Sequence, residues 1–298
     1  MVLASLVATA ALAEVALRVS SLFVAQQSSG WRPGARVRVL AVGDSHTYGG
    51  TVEPHETYPA QLQRFLDEAA PGVYSVINVG IPGVNTAQVR NRLALNLARW
   101  EPDVVVFWCG INNAWNSAET DAATPAGWLD RTLLGLKVYK LVRVVQHDRA
   151  LHVAAREHLQ DGRHAVQGVN RNTKIVPFFG EVVMREEREV RVDEERVRAA
   201  MADYRAMRRL TERAGAVPIF ISYHLDFERF TLPNEALRRL AREDGFTVVD
   251  ARAGLERVPE AVGRFTWALH PSAPIYGEVA RDVAQRILRL APPPDPTF

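Results

Sequence analysis

The order of strand and helix patterns along the chain constrains its fold more than any other feature. The segment from Asp103 to Trp108 is an almost unbroken apolar run, which is typical of a strand covered on both faces of a sheet. Further strands are predicted at 36–42, 74–79, 217–223 and 246–249, and helices beginning at 57 and 85 and spanning 129–145, 193–211, 233–243 and 273–290. Strand-helix alternation of this kind predicts a mostly parallel sheet between two helical layers, a three-layer α/β/α sandwich.

The length of 298 residues accommodates one large α/β domain, which we place at 35–291. Within it, the polar segment 147–191 is expected to form a cap over the site, since insertions in such folds shape access. The 36 basic and 34 acidic residues leave a net charge of +2 without a basic stripe, so nucleic acid is not a predicted partner. Cys109 is the only cysteine, which excludes an intramolecular disulfide and a cysteine-based zinc site.

Residues 1–25 are almost wholly apolar, interrupted by Glu14 and Arg18. A membrane-spanning helix needs about 20 such residues, so we predict a transmembrane anchor or a signal segment, and with it a membrane-anchored or exported protein of the cell envelope. An amphipathic helix packed on its own domain is the alternative. The arginines follow the apolar run, which by the positive-inside rule favours the cytoplasmic face, so sidedness stays open.

Ligands of parallel sheets lie beyond the carboxyl ends of the strands, and four segments of this chain meet that condition. They are the loops at 43–50, 80–85, 110–116 and 266–272. The first carries Ser45 in a strand-to-helix turn, where backbone N–H groups can bind an oxyanion. The others contribute Gly80, the amide of Asn112 and the imidazole of His270. A hydroxyl, oxyanion donors and a base together indicate acyl transfer.

These motifs resemble those of the SGNH (GDSL-type) hydrolases, and the sequence Gly-Asp-Ser-His-Thr-Tyr-Gly at 43–49 is most similar to membrane-anchored bacterial members. The resemblance implies an α/β/α fold and catalysis without a metal or an organic cofactor. It implies that Ser45 is the nucleophile and that the Ser45 N–H, Gly80 and Asn112 form the oxyanion hole. His270 would be the general base and then the acid.

One position departs from the family pattern. Members usually carry Asp three residues before the histidine, where this chain has Trp267, and an indole has no acceptor with which to orient an imidazole. Three explanations stay open. A backbone carbonyl near Trp267 holds the ring and gives a Ser-His dyad, a carboxylate from another loop replaces the acid, or the enzyme is degraded or inactive. The candidate carboxylates are Asp226, Glu228 and Asp250.

Three residues near these loops are candidate substrate contacts: His46, Asn113 and Trp267. Asp44 is interpreted as a turn-bracing carboxylate. The predicted activity is a serine-dependent ester hydrolase or acyltransferase that forms an acyl-enzyme on an acylated cell-envelope glycan, a lipid or a small ester. The alternative is a catalytically silent domain that binds an acylated glycan, favoured by an aromatic residue that can stack on a sugar ring.

Overall fold

The computed structural model describes residues 32–114, 116, 194–226, 228–259, 263–266 and 269–293, together with 9, 11–16, 136 and 138. Residue 9 and residues 11–16 are helical, and the rest of the predicted anchor lies outside the described residues. Only residues 136 and 138 of the predicted helix at 129–145 are described, and the predicted cap at 147–191 lies wholly outside the described residues. Among the helices that are described, none has the length and apolar character needed to span a bilayer.

Five strands and seven α-helices are labelled here in chain order. The strands are β1 (Val37–Gly43), β2 (Tyr74–Asn78), β3 (Val104–Trp108), β4 (Val217–Ile221) and β5 (Val248–Val249). The helices are α1 (Ser45–Tyr48), α2 (Tyr58–Ala69), α3 (Thr86–Trp100), α4 (Glu194–Arg213), α5 (Thr231–Glu243), α6 (Ala251–Arg257) and α7 (Ala273–Leu290). Short 3-10 turns occupy Pro54–Glu56, Ile111–Ala114 and Glu228–Phe230.

The strands form one parallel sheet in the order β2-β1-β3-β4-β5. β1 lies between β2 and β3, with Ala41 opposite Asn78 and Gly43 opposite Trp108. This register brings the carboxyl ends of the three strands to the same edge of the sheet. The loops that follow them, which carry Ser45, Gly80 and Asn112, therefore start from neighbouring points.

Alternate residues of each strand face two separate apolar layers, which confirms the predicted three-layer sandwich. Val39, Val106 and Ile219 face the layer containing α2, α6 and α7. Leu40, Val105 and Phe220 face the layer containing α3, α4 and α5. Both layers bury their residues almost completely, which explains the unbroken apolar run in β3: each of its side chains has a helix above it.

The predicted elements at the described positions agree closely with those observed, and the differences lie at their ends. α7 spans the predicted residues, whereas α5 begins two residues earlier than predicted and β5 shortens to two residues. α1 and α6 were not predicted. Each begins directly after an aspartate, Asp44 or Asp250, whose side chain accepts the backbone N–H two residues ahead.

The loop after β3 is fastened to the start of α3 by Asn85. The Asn85 side-chain oxygen accepts the N–H of Gln88 at 2.8 Å and its amide nitrogen donates to the Asn116 carbonyl at 2.8 Å. In turn, the side-chain oxygen of Gln88 accepts the Asn85 N–H at 3.3 Å, which completes a capping box. Because Asn85 is fully buried, both bonds are made away from water.

We expect Asn85→Ala to lower the free energy of unfolding by about 2–3 kcal/mol, since it removes a helix cap and leaves a buried carbonyl without this donor. Chemical denaturation of both proteins measures the difference. Asn91→Ala, on the exposed side of the same helix, is the matched control and should change stability by less than about 0.5 kcal/mol. Equal effects of the two substitutions would contradict this role of Asn85.

Candidate active site

The turn that carries Ser45 is fixed to the end of β3 by one carbonyl group. The Trp108 oxygen accepts the Asp44 N–H at 3.1 Å and the Thr47 hydroxyl at 3.1 Å. A Cβ at Gly43 would stand only 2.0 Å from the same oxygen, so the approach requires glycine. Ser45 then follows as the first residue of α1, and its N–H belongs to the helix-start groups that no helical carbonyl accepts.

Ser45 and His270 are brought together across 225 residues of sequence: the Ser45 Oγ and the His270 Nε2 lie 2.8 Å apart. The main chain holds His270 in place, because its carbonyl accepts both the N–H and the hydroxyl of Thr266, at 2.8 and 3.2 Å. Phe265 and Pro271 form an antiparallel bridge on either side of this contact. The histidine therefore sits on a closed hairpin-like loop just before α7.

Gly80 packs directly against α1. A Cβ there would lie 2.5 Å from the Tyr48 nitrogen, so no other residue fits without moving the backbone. The Gly80 N–H donates to the Asn78 side-chain oxygen at 2.9 Å, and the Asn78 amide donates to the Thr47 carbonyl at 3.0 Å. Asn78, which the sequence analysis did not identify, thus joins the predicted oxyanion donor to the helix that begins with Ser45.

The two adjacent asparagines after β3 have different surroundings. Asn112 is buried and donates one of its amide hydrogens to the Val84 carbonyl at 2.9 Å. Asn113 binds Thr86 through both ends of its amide, accepting the N–H at 3.0 Å and donating to the hydroxyl at 2.8 Å. The amide of Asn113 therefore braces the start of α3, and its substrate contact stays a prediction.

His46 was also predicted to contact substrate, and the structure places it elsewhere. Its side chain has no exposed surface and stacks on the ring of His270, with centroids 4.6 Å apart and planes at 28°. Tyr223 meets it edge-on at 4.9 Å, and Trp108 lies at 5.4 Å. A side chain enclosed in this way underlies the histidine of the site rather than facing a ligand. Burial holds the pKa of His46 well below its usual value.

Asp44 is a fully buried carboxylate directly before Ser45. It accepts the His46 N–H at 3.0 Å, as expected of a turn-bracing aspartate, and also the Tyr223 hydroxyl at 2.6 Å. Burial raises the pKa of Asp44 to about 6, against the opposing influence of the Tyr223 hydroxyl, the His46 N–H and the nearby His270. The group is thus mostly ionised at pH 7 despite its burial.

Tyr223 and His224 follow β4 and were missed by the sequence analysis. The Tyr223 hydroxyl also accepts the Ile111 N–H at 3.1 Å, which links the loop after β3 to Asp44. His224 is buried, and its Nε2 lies 3.0 Å from the carbonyl of Leu269, a residue with a φ of 60°. Burial lowers the pKa of His224 well below its usual value. No motif marks either residue, since their contacts arise from the pairing of β4 with β3.

Two of the carboxylates considered as substitutes for the acid at 267 are engaged elsewhere. Asp226 lies 2.9 Å from Arg238, and Asp250 accepts the Ser222 hydroxyl at 3.1 Å. Both line a cleft of about 350 Å³ beside the ends of β4 and β5. The side chain of Glu228 lies outside the described part of the structure, as does Trp267 together with its predicted substrate contact.

Comparison with known families agrees with this geometry. The model of the GDSL-like Lipase/Acylhydrolase family matches residues 41–277, which is most of the chain. The chain therefore belongs to this family, and it is a hydrolase that acts on ester bonds. No curated protein matches it.

Two solved structures are similar to this chain. TesA is 15% identical, with a TM-score of 0.50 over 85% of this chain and 99% of TesA. Axe2, an acetylxylan esterase from Geobacillus stearothermophilus, is 17% identical, with a TM-score of 0.48 over 86% of this chain and 96% of Axe2. At this level of identity the likeness shows the fold alone.

The raised pKa of Asp44 predicts a specific pH dependence of stability. Its folded-state pKa of about 6 exceeds the ordinary value of 3.8, so ionisation opposes folding. That cost is absent below pH 4 and complete above pH 6, and a pKa difference of this size corresponds to roughly 3 kcal/mol. Asp44→Asn should therefore gain stability relative to the wild type as pH rises from 4 to 8.

The measurement is thermal or denaturant unfolding of both proteins at several pH values in this range. An asparagine forms weaker hydrogen bonds than an aspartate at this position, and this changes the free energy of unfolding by the same amount at every pH. The missing charge instead makes the stability difference between the variant and the wild type depend on pH. Asp250→Asn is the control, because Asp250 is an exposed helix cap. A stability difference at position 44 that does not vary with pH would contradict the raised pKa.

Proposed function

We propose that the chain cleaves acyl esters through a covalent acyl-enzyme on Ser45, with His270 as the group that moves the proton. The observation that carries this proposal is the 2.8 Å distance between the Ser45 hydroxyl and the His270 Nε2, formed at the carboxyl edge of a parallel sheet. A serine hydroxyl is a weak nucleophile until a neighbouring base accepts its proton, and this contact supplies the base.

In the first step the Ser45 oxygen attacks the ester carbonyl carbon while its proton passes to His270. Collapse of the tetrahedral intermediate breaks the ester bond, and the imidazolium returns the proton to the departing alkoxide, which leaves as the alcohol. Water then attacks the acyl-enzyme while one of its protons passes to His270. The bond between the acyl carbon and the Ser45 oxygen breaks, and His270 returns the proton to that oxygen, so the carboxylic acid and free serine are formed. An alcohol in place of water would make the same site an acyltransferase.

The negative charge on the intermediate needs hydrogen-bond donors beside Ser45. We assign this role to the Ser45 N–H, the Gly80 N–H and the Asn112 side chain, which lie on three loops joined by the contacts described above. The Gly80 N–H already donates to a neutral amide oxygen of Asn78. An oxyanion is a stronger acceptor than an amide, so the transition state would attract this donor more strongly than the resting enzyme does.

The proposed substrate class is an acylated glycan or lipid of the cell envelope. Support comes from the apolar segment at 1–25, which would hold the domain beside a membrane. A site on the edge of the sheet, reached from outside the fold, is compatible with a substrate much larger than the acyl group itself.

A fluorophosphonate probe tests the proposed nucleophile directly, because it reacts only with an activated serine. We expect the full chain to be labelled, Ser45→Ala to lose all labelling, and His270→Ala to react at least about 100-fold more slowly. Hydrolysis of p-nitrophenyl acetate should follow the same order. Ser222→Ala is the matched control: it removes a serine at the end of β4 that binds Asp250, and labelling should persist.

An unlabelled wild-type chain, under conditions where another serine esterase reacts, would reject the catalytic proposal. It would leave the alternative of a silent domain that binds an acylated glycan. If labelling succeeds, product analysis with and without an added sugar alcohol distinguishes transfer from hydrolysis, because only a transferase forms the new ester.

The proposed membrane association predicts that the expressed full chain sediments with membranes and resists extraction by alkaline carbonate, but dissolves in detergent. A chain beginning at 32 should remain in the supernatant. Recovery of the full chain in the supernatant would contradict the association and leave the catalytic proposal intact.

A further inference from the structure

The ring of His46 is held in one orientation by its neighbours. It lies face to face with His270 at 4.6 Å, while Tyr223 and Phe230 approach it edge-on at 4.9 and 6.3 Å. Its two ring nitrogens are buried without a hydrogen-bond partner among the described residues. A fixed, neutral ring of this kind limits how far the imidazole stacked on it can rotate.

The same ring also contacts the buried carboxylate. The His46 Nδ1 lies 3.5 Å from the Asp44 Oδ1, too far for a good hydrogen bond but within van der Waals contact. Because burial keeps His46 neutral, it does not cancel the Asp44 charge by forming an ion pair. Asp44 thus places a negative charge beside the ring that stacks on His270, and the nearby His270 in turn lowers the pKa of Asp44.

We propose that His46 and Asp44 act together on His270: His46 restricts the plane of the His270 ring by stacking, and Asp44 balances the imidazolium charge through space. Both are positioning residues, since neither touches the reacting atoms. This inference rests on the proposed function of Ser45 and His270.

Several other titratable groups face this pair, and those named here are neutral except Arg229. Tyr223 donates to Asp44, and burial raises its pKa well above the usual value, so it stays protonated. His224 is neutral, and the Arg229 charge disfavours protonation of both His46 and His224. The remaining groups that interact with the Asp44 charge, all held protonated by burial, are Tyr58, Cys109, Tyr204 and Tyr276.

The first test is the pH profile of kcat/KM for p-nitrophenyl acetate, measured on full-length Asp44→Asn. Loss of the counter-charge makes the imidazolium less stable, so the acidic limb should move to lower pH, while kcat at pH 7 falls by about 10- to 100-fold with little change in KM. A group that only braced the turn would lower activity equally at every pH.

Tyr223→Phe supplies the opposite perturbation. It keeps the Asp44 carboxylate but removes the hydroxyl that stabilises its charge, so Asp44 becomes neutral at a higher pH. Protonation of Asp44 removes the counter-charge and the activity that depends on it. In Tyr223→Phe this loss begins at a higher pH than in the wild type, so the acidic limb should move to higher pH, whereas Asp44→Asn no longer has this titration. Shifts in opposite directions from the two variants cannot come from general damage to the fold.

The stacking contribution is tested by two substitutions at position 46. His46→Phe keeps an aromatic ring and should retain kcat within about threefold, whereas His46→Leu removes the flat face and should lower kcat by about tenfold. Phe107→Leu, in the apolar layer on the other face of the sheet, is the matched control for loss of core packing and should leave the activity of the folded fraction unchanged.

The proposal is overturned if the acidic limb of Asp44→Asn coincides with that of the wild type, or if His46→Leu and His46→Phe are equally active. Either result overturns the proposal only when the fluorophosphonate labels Ser45 of the wild-type enzyme. Absence of that labelling would instead reject the proposed function, so the two failures are distinguishable.

Discussion

The site depends on the Trp108 carbonyl, which joins the end of β3 to the turn after β1. That one oxygen accepts the Asp44 N–H and the Thr47 hydroxyl, and its closeness leaves no room for a side chain at Gly43. The chain must therefore turn sharply into α1, with Ser45 on the outer side of the turn. His46 is directed inward by the same geometry. One backbone contact thus sets both the half-buried hydroxyl of Ser45 and the fully buried ring of His46.

The turn contains a buried negative charge, that of Asp44, which lowers the stability of the folded protein. The Asp44 carboxylate is surrounded by aromatic rings and by two buried histidines, and burial raises its pKa to about 6. Its hydrogen bonds from Tyr223 and from the main chain offset only part of that cost. A neutral side chain of the same shape would favour stability, as is common for groups at functional sites. The same low-polarity surroundings also make the charge act more strongly on its neighbours than it would in water.

Local signals made most of the described fold predictable. The helix starts at Thr57 and Asn85 carry side-chain caps, and Ser45, Gly80 and Asn112 follow the ends of strands that the apolar runs predict. The residues that sequence analysis missed, such as Tyr223, reach the site through strand pairing, which joins segments more than 100 residues apart. The inward direction of His46 was not predictable, because a turn of four residues has no periodicity from which its buried face can be recognised.

In the proposed arrangement two groups act on the His270 ring and have separate tasks: one restricts its orientation and the other balances its charge. The loop of His270 is held by the main-chain contact with Thr266, so the position of the ring depends on neither task. Stacking on His46 then restricts its plane, and the charge of Asp44 acts without a hydrogen bond. A through-space charge is strongest where water is excluded. The stabilisation of the His270 imidazolium by the Asp44 charge should therefore increase when the acyl group of the substrate excludes water from the site. This is also the stage of the reaction at which the imidazolium forms.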